Sequence, residues 1–84
     1  MKEFDKKIKE LPLGSYFVYY KDKKYLLNKS IYSHNRVIKI FAKCLSNSDI
    51  VSANYFLTIK SGLLKPCEME KAKVIDFIKA LKIG

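Results

Sequence analysis

The spacing of apolar residues changes along the chain. Over residues 2–10, Phe4, Ile8 and Leu11 recur at i, i+4 and i+7, and Glu3–Lys7 and Lys6–Glu10 stand four apart. This spacing predicts an amphipathic helix, ended by Pro12 and Gly14. A helix this short is not stable alone, so its apolar stripe must dock on something. From Ser15 the period shortens. SYFVYY and KKYLLNK are β-branched and aromatic, separated by Lys21-Asp22, and predict a hairpin. In NRVIKIFAKCL, Ile38, Ile40, Ala42 and Cys44 fall on one face of a strand over 36–45, and Val37, Lys39, Phe41, Lys43 and Leu45 on the other. Ser46–Asp49 is a turn. A strand over 50–59 then puts Val51, Ala53, Tyr55, Leu57 and Ile59 on one face, with Ile50, Ser52, Asn54, Phe56 and Thr58 opposite. Ser61-Gly62 breaks this run, and Leu63-Leu64 is a candidate fifth strand. A second helix is expected over 67–82, opened by Pro66 and Cys67, with Val74, Phe77, Ile78 and Leu81 as its stripe.

The order of elements predicts an α+β fold: a four-stranded antiparallel β-meander with the N-terminal and C-terminal helices packed on one face. The helices should cover Ile38, Ile40, Val51, Ala53, Leu57 and Ile59. The alternative is a small SH3-like barrel with flanking helices, should Leu63-Leu64 complete a fifth strand. The 84 residues are expected to form a single small basic domain, because a second core would not fit in that length.

Composition narrows the class. At 49% hydrophobic and 30% charged the chain is of ordinary globular make-up, without an apolar run long enough to span a membrane. The opening MKEFDKKIKE has no apolar core of a secretory signal, and Cys44 and Cys67 are too few for a disulfide scaffold. Both are expected as free thiols in a cytoplasmic protein. With His34 the lone histidine and no CxxC pair, no metal site and no cofactor are expected.

Charge then points to a partner. The net charge is +9, and sixteen of the seventeen basic residues are lysine, Arg36 being the exception. Such a lysine bias can be a feature of a low-G+C genome, and lysine is the weaker bidentate ligand for phosphate. The placement argues against bias alone. Residues 1–10 and 67–84 each carry a net +1, whereas 11–66 carry +7 and nine of the eleven aromatics. Acids are confined to the helical flanks and to Asp22 and Asp49.

The open face of the sheet is thus the candidate site. Lys39, Phe41 and Lys43 should stand beside Asn54 and Phe56, with Tyr19 or Tyr20, Lys21, Lys23 and Lys24 added by the first hairpin and Arg36 at the head of the third strand. Aromatics interleaved with lysines can stack bases and neutralise phosphates. Strands followed by a helix, with an open basic and aromatic sheet, resemble in topology the single-stranded-DNA-binding transcription coactivators and Whirly proteins. No motif carries residues across, and the N-terminal helix departs from that pattern. The expectation is a non-enzymatic nucleic-acid-binding module, for single strands. The alternative is a small protein-interaction module, a regulator or inhibitor of phage or mobile-element type, that offers the same face to an acidic protein surface or a second copy of the chain. A catalytic pairing of Cys67 with His34 would lack an orienting group and an oxyanion hole. No carboxylate pair, P-loop or GxGxxG is present.

Overall fold

The computed structural model describes residues 2–34, 36–57, 62–66 and 69–83. The helix α1 spans Lys2–Glu10, and the strands β1 (Gly14–Tyr20), β2 (Lys23–Tyr32), β3 (Val37–Cys44), β4 (Ile50–Leu57) and β5 (Gly62–Pro66) follow. Helix α2 (Lys71–Ala80) and a two-residue strand β6 (Lys82–Ile83) complete the chain. The fold is α+β, with one antiparallel sheet of six strands in the order β5-β4-β3-β2-β1-β6. The sheet has six strands where four were expected, because β5 adds to one edge and the two-residue β6 pairs with the outer edge of β1. The sheet is open, with β5 and β6 at its two edges, and so is not the alternative barrel.

The β1–β2 hairpin closes through Lys21 and Asp22 at φ 49° and 62°, the left-handed pair that matches the twist of adjoining strands. Residues two apart in each strand share a face, and the register carries that parity from strand to strand. Val18, Leu27, Ile40, Ala42, Val51, Ala53 and Leu64 all point to the helical side and are buried with Phe4, Ile8, Val74, Phe77, Ile78 and Leu81 in one core cluster. Each large side chain so buried is worth about 1.5–3 kcal/mol. Leu57 is only partly buried at the margin, because it stands at the end of β4 opposite Gly62. Thr58, Ile59 and Cys67 lie outside the described residues.

The second helix differs from the expected 67–82. Pro66 is the last residue of β5 and pairs with Ala53, so the backbone there is extended; proline is tolerated at a strand end on the sheet edge. The helix begins after Glu70 and stops at Leu81, whose ψ of 152° turns the chain away to pair with β1. Lys82 therefore belongs to β6 and not to the helix.

Three tyrosines from the sheet fasten what lies above it. Tyr55 Oη donates to Asp5 of α1 at 2.5 Å, Tyr25 Oη to Asp49 of the β3–β4 turn at 2.7 Å, and Tyr20 Oη to Asp76 of α2. Gly62 makes room for the first of these. A Cβ there would lie 1.8 Å from Tyr55 Oη, so the ring occupies space that only glycine leaves free.

Candidate nucleic-acid interface

The helices cover one side of the sheet only. On the other side the register sets side chains in rows across the strands. Leu63, Phe56, Val37 and Tyr32 form an apolar row at one end. Next come Lys65, Asn54, Lys39 and Ser30, and then Ser52, Phe41, Asn28 and Ser15. Ile50, Lys43, Leu26 and Phe17 make the fourth row. The fifth holds Lys24, Tyr19 and Lys82, extended by Leu45, whose N–H donates to the Lys24 carbonyl. A polar band of Lys, Asn and Ser thus crosses the middle of the sheet between two apolar margins.

Five exposed lysines stand on this face: Lys24, Lys39, Lys43, Lys65 and Lys82. None of them makes an ion pair with a described residue. Among the described residues no carboxylate shares it. Glu3, Asp5 and Glu10 are on α1, Asp22 is in the first turn, Asp76 is on α2, and Glu70 is the residue that precedes α2. Asp49 is drawn to the helical side by Tyr25 and by Lys73 Nζ at 2.5 Å. The Lys73 bond first, and then the Tyr25 bond, hold its carboxyl below the ordinary carboxylate value. The Tyr55 bond, followed by Lys9, does the same for Asp5.

Most of the expected site residues come together. Lys24, Lys39, Phe41, Lys43, Asn54, Phe56 and Tyr19 all lie on the uncovered face, with Asn54 and Phe56 half-buried between their neighbours. Lys23 does not. A two-residue turn pairs it with Tyr20, and this pair has helix-side parity. Tyr20 is buried against Phe77, and Lys23 lines an open cleft of about 470 Å³ with Lys21, Lys73, Asp49 and Asp76. That cleft mixes both signs of charge and contributes nothing to the basic face. Arg36 is exposed in the β2–β3 loop at one end of the sheet, its carbonyl accepting from the Leu57 N–H.

The uncovered face is also more apolar than the pattern suggested. Phe17, Tyr19, Leu26, Tyr32, Phe41, Leu45, Ile50 and Leu63 are each 40–54% exposed. Phe17 and Leu26 escape a sequence reading because SYFVYY and YLL are apolar at both parities, which hides the alternation; Lys65 and Lys82 escape it because they stand on the edge strands β5 and β6, outside the four expected strands. Lys24 Nζ sits 4.3 Å from the Phe17 ring centroid and 6.0 Å from that of Tyr19, and so caps both rings.

Among the described residues no group of His, Cys, Asp and Glu is arranged to hold a metal ion, and no helix is long and apolar enough to cross a membrane. Cys44 is buried, its Sγ 3.4 Å from Ser46 Oγ. No protein-family model, curated protein or solved structure matches the chain. The fold and face define it as an α+β domain with one helix-covered and one uncovered, lysine-bearing side.

Proposed function

We propose that the chain binds single-stranded nucleic acid across the uncovered sheet face and performs no catalysis. The observation that carries this reading is the separation of charge: five lysines and exposed aromatics share a face from which every described carboxylate is absent. A polyanion meets attraction over that whole surface, and the aromatic rings offer stacking for bases of any sequence. An open sheet face suits a single strand with splayed bases better than the stacked bases of a duplex.

Retention on single-stranded and duplex oligonucleotides across a salt series tests it. Each phosphate neutralised on a single strand contributes about −0.7 to the slope of log affinity against log salt. Absence of binding even at low salt would defeat the reading.

A second reading has its own support. Leu26, Leu45, Ile50 and Leu63 are aliphatic and exposed, and such groups fit a protein surface better than a base. The partner in that case is a protein with an acidic rim around an apolar centre. A second copy, set face to face, would bring two lysine-rich faces together, and like charges at that range are costly. Sedimentation of the wild type and of a Phe41→Ala variant separates these: only a dimer seam changes its oligomeric state.

A further inference from the structure

Phe41 differs from the other exposed rings of the face. Phe17 and Tyr19 are capped by Lys24, so a base would have to displace a lysine to reach them. Among the described residues no cation lies over Phe41, which is 41% exposed near the centre of the sheet. The groups around it are defined by register. Asn28 and Ser52 stand directly opposite on β2 and β4, and Lys39 and Lys43 flank it two positions away on its own strand, about 7 Å distant. The Asn28 amide is held in place: its Nδ2 donates to Ser15 Oγ at 2.7 Å and its Oδ1 accepts from Ser30 Oγ at 2.9 Å. One N–H and one oxygen lone pair remain for a ligand.

We infer that Phe41, framed by Lys39, Lys43 and the Asn28 amide, is a nucleobase seat that takes keto bases in preference to amino bases. The inference rests on the nucleic-acid reading above and specifies its ligand. A base stacked on Phe41 turns its edge toward two lysines, which donate hydrogen bonds and cannot accept them. Guanine, thymine and uracil present a carbonyl oxygen on the edge where adenine and cytosine present an amino group. The carbonyl completes a charge-assisted hydrogen bond. The amino group meets ammoniums of the same polarity and is left with the neutral Asn28 Oδ1, a weaker acceptor than the carboxylate that no described residue supplies on this face.

Thymine and cytosine isolate this difference, since the rings are alike in size. Oligothymidylate and oligocytidylate of equal length should be titrated at neutral pH and fixed salt, by fluorescence anisotropy. The wild type is expected to hold oligothymidylate tighter by at least about fivefold. Lys43→Glu should weaken both complexes, yet move their ratio toward oligocytidylate, because the new carboxylate accepts from the cytosine amino group. Phe41→Ala should bring the two affinities together while leaving the salt slope unchanged. Lys43 and Phe41 are exposed on the side away from the core, and circular dichroism checks that both variants fold. Equal affinities in the wild type, or tighter binding of oligocytidylate, would overturn the base preference and leave nucleic-acid binding standing. Failure of both oligonucleotides to bind at low salt would remove both.

Discussion

Lys29 Nζ donates to the carbonyl oxygen of Leu11 at 2.6 Å from inside the core. Its residue is 2% exposed, and the ammonium reaches a second acceptor, the Lys9 carbonyl, at 3.1 Å. These are carbonyls that the last turn of α1 leaves without helical partners, and a cation there also offsets their partial negative charge. Burial pushes the Lys29 pKa below the ordinary lysine value. A charged residue thus stands at a core position of β2, between Leu27 and Ile31, and fastens a helix to the sheet.

Removing that cap should destabilise the fold. Lys29→Ala is expected to cost about 1–3 kcal/mol in urea unfolding, since the buried Leu11 bond and the part-buried Lys9 bond both lose their donor. Lys29→Met keeps the apolar stem and separates packing from capping. If Lys29→Met is as stable as the wild type, the two hydrogen bonds contribute nothing net.

Gly62→Ala should also destabilise, by about 1–3 kcal/mol, through overpacking. The added methyl would lie 1.8 Å from Tyr55 Oη and 2.0 Å from Cζ, so the ring must leave its place and release Asp5. Tyr55 is buried against Phe4 and has little room to move. Tyr55→Leu in the Gly62→Ala background should recover part of the loss; additive losses in that double variant would show that the clash is relieved some other way.

Stability should fall at both ends of the pH scale. Asp5 and Asp49 titrate below the ordinary value of 3.8 in the folded state, so their contribution is complete above 3.8 and is lost as pH drops through the folded values. Burial, followed by the Asp76 bond, pushes Tyr20 up to about 12; burial and then Asp5 push Tyr55 up to about 12. Their contribution is complete below 10.0 and is lost as pH rises through about 12. Lys29 works in the opposite sense: below its ordinary 10.5 the unfolded chain holds the proton more tightly, so stability from this group rises with pH. Urea midpoints across pH check these signs, and Tyr20→Phe should blunt the alkaline fall.

On the uncovered face, Lys39→Ala should weaken binding of all single strands and flatten the salt slope by about 0.7. Phe41→Ala should weaken binding by the roughly 1–3 kcal/mol that stacking of one base supplies, with the slope unchanged. A Phe41→Ala loss that scales with salt would mean that the ring organises lysines and does not stack.

The parts of the fold that were legible in the residues are those with clean alternation. VIKIFAKC, with lysine at every second apolar break, assigned both faces of β3, and Val51, Ala53 and Tyr55 did so for β4. The first hairpin is apolar at both parities, so Lys23 and Lys24 could not be divided between faces until the two-residue turn set the register. The residues from Pro66 onward resemble a helix start in sequence, while the pairing of Pro66 with Ala53 is a long-range fact that local pattern does not carry. The two residues of β6 carry no signal of their own and exist because β1 offers them an edge. Lys29 was readable in principle: Tyr25, Leu27 and Ile31 share its parity, and a lone lysine among them marks a buried donor in search of acceptors.

The absence of described carboxylates from the uncovered face, with five lysines left over there, gives the molecule an electric dipole moment that points out of that face. In the field of any polyanion this produces a torque. The molecule rotates before contact, so that the helices trail and the sheet leads. Collisions that would otherwise be wasted on the wrong side become productive, which raises the association rate at low ionic strength and loses that advantage once the Debye length falls below the molecular radius.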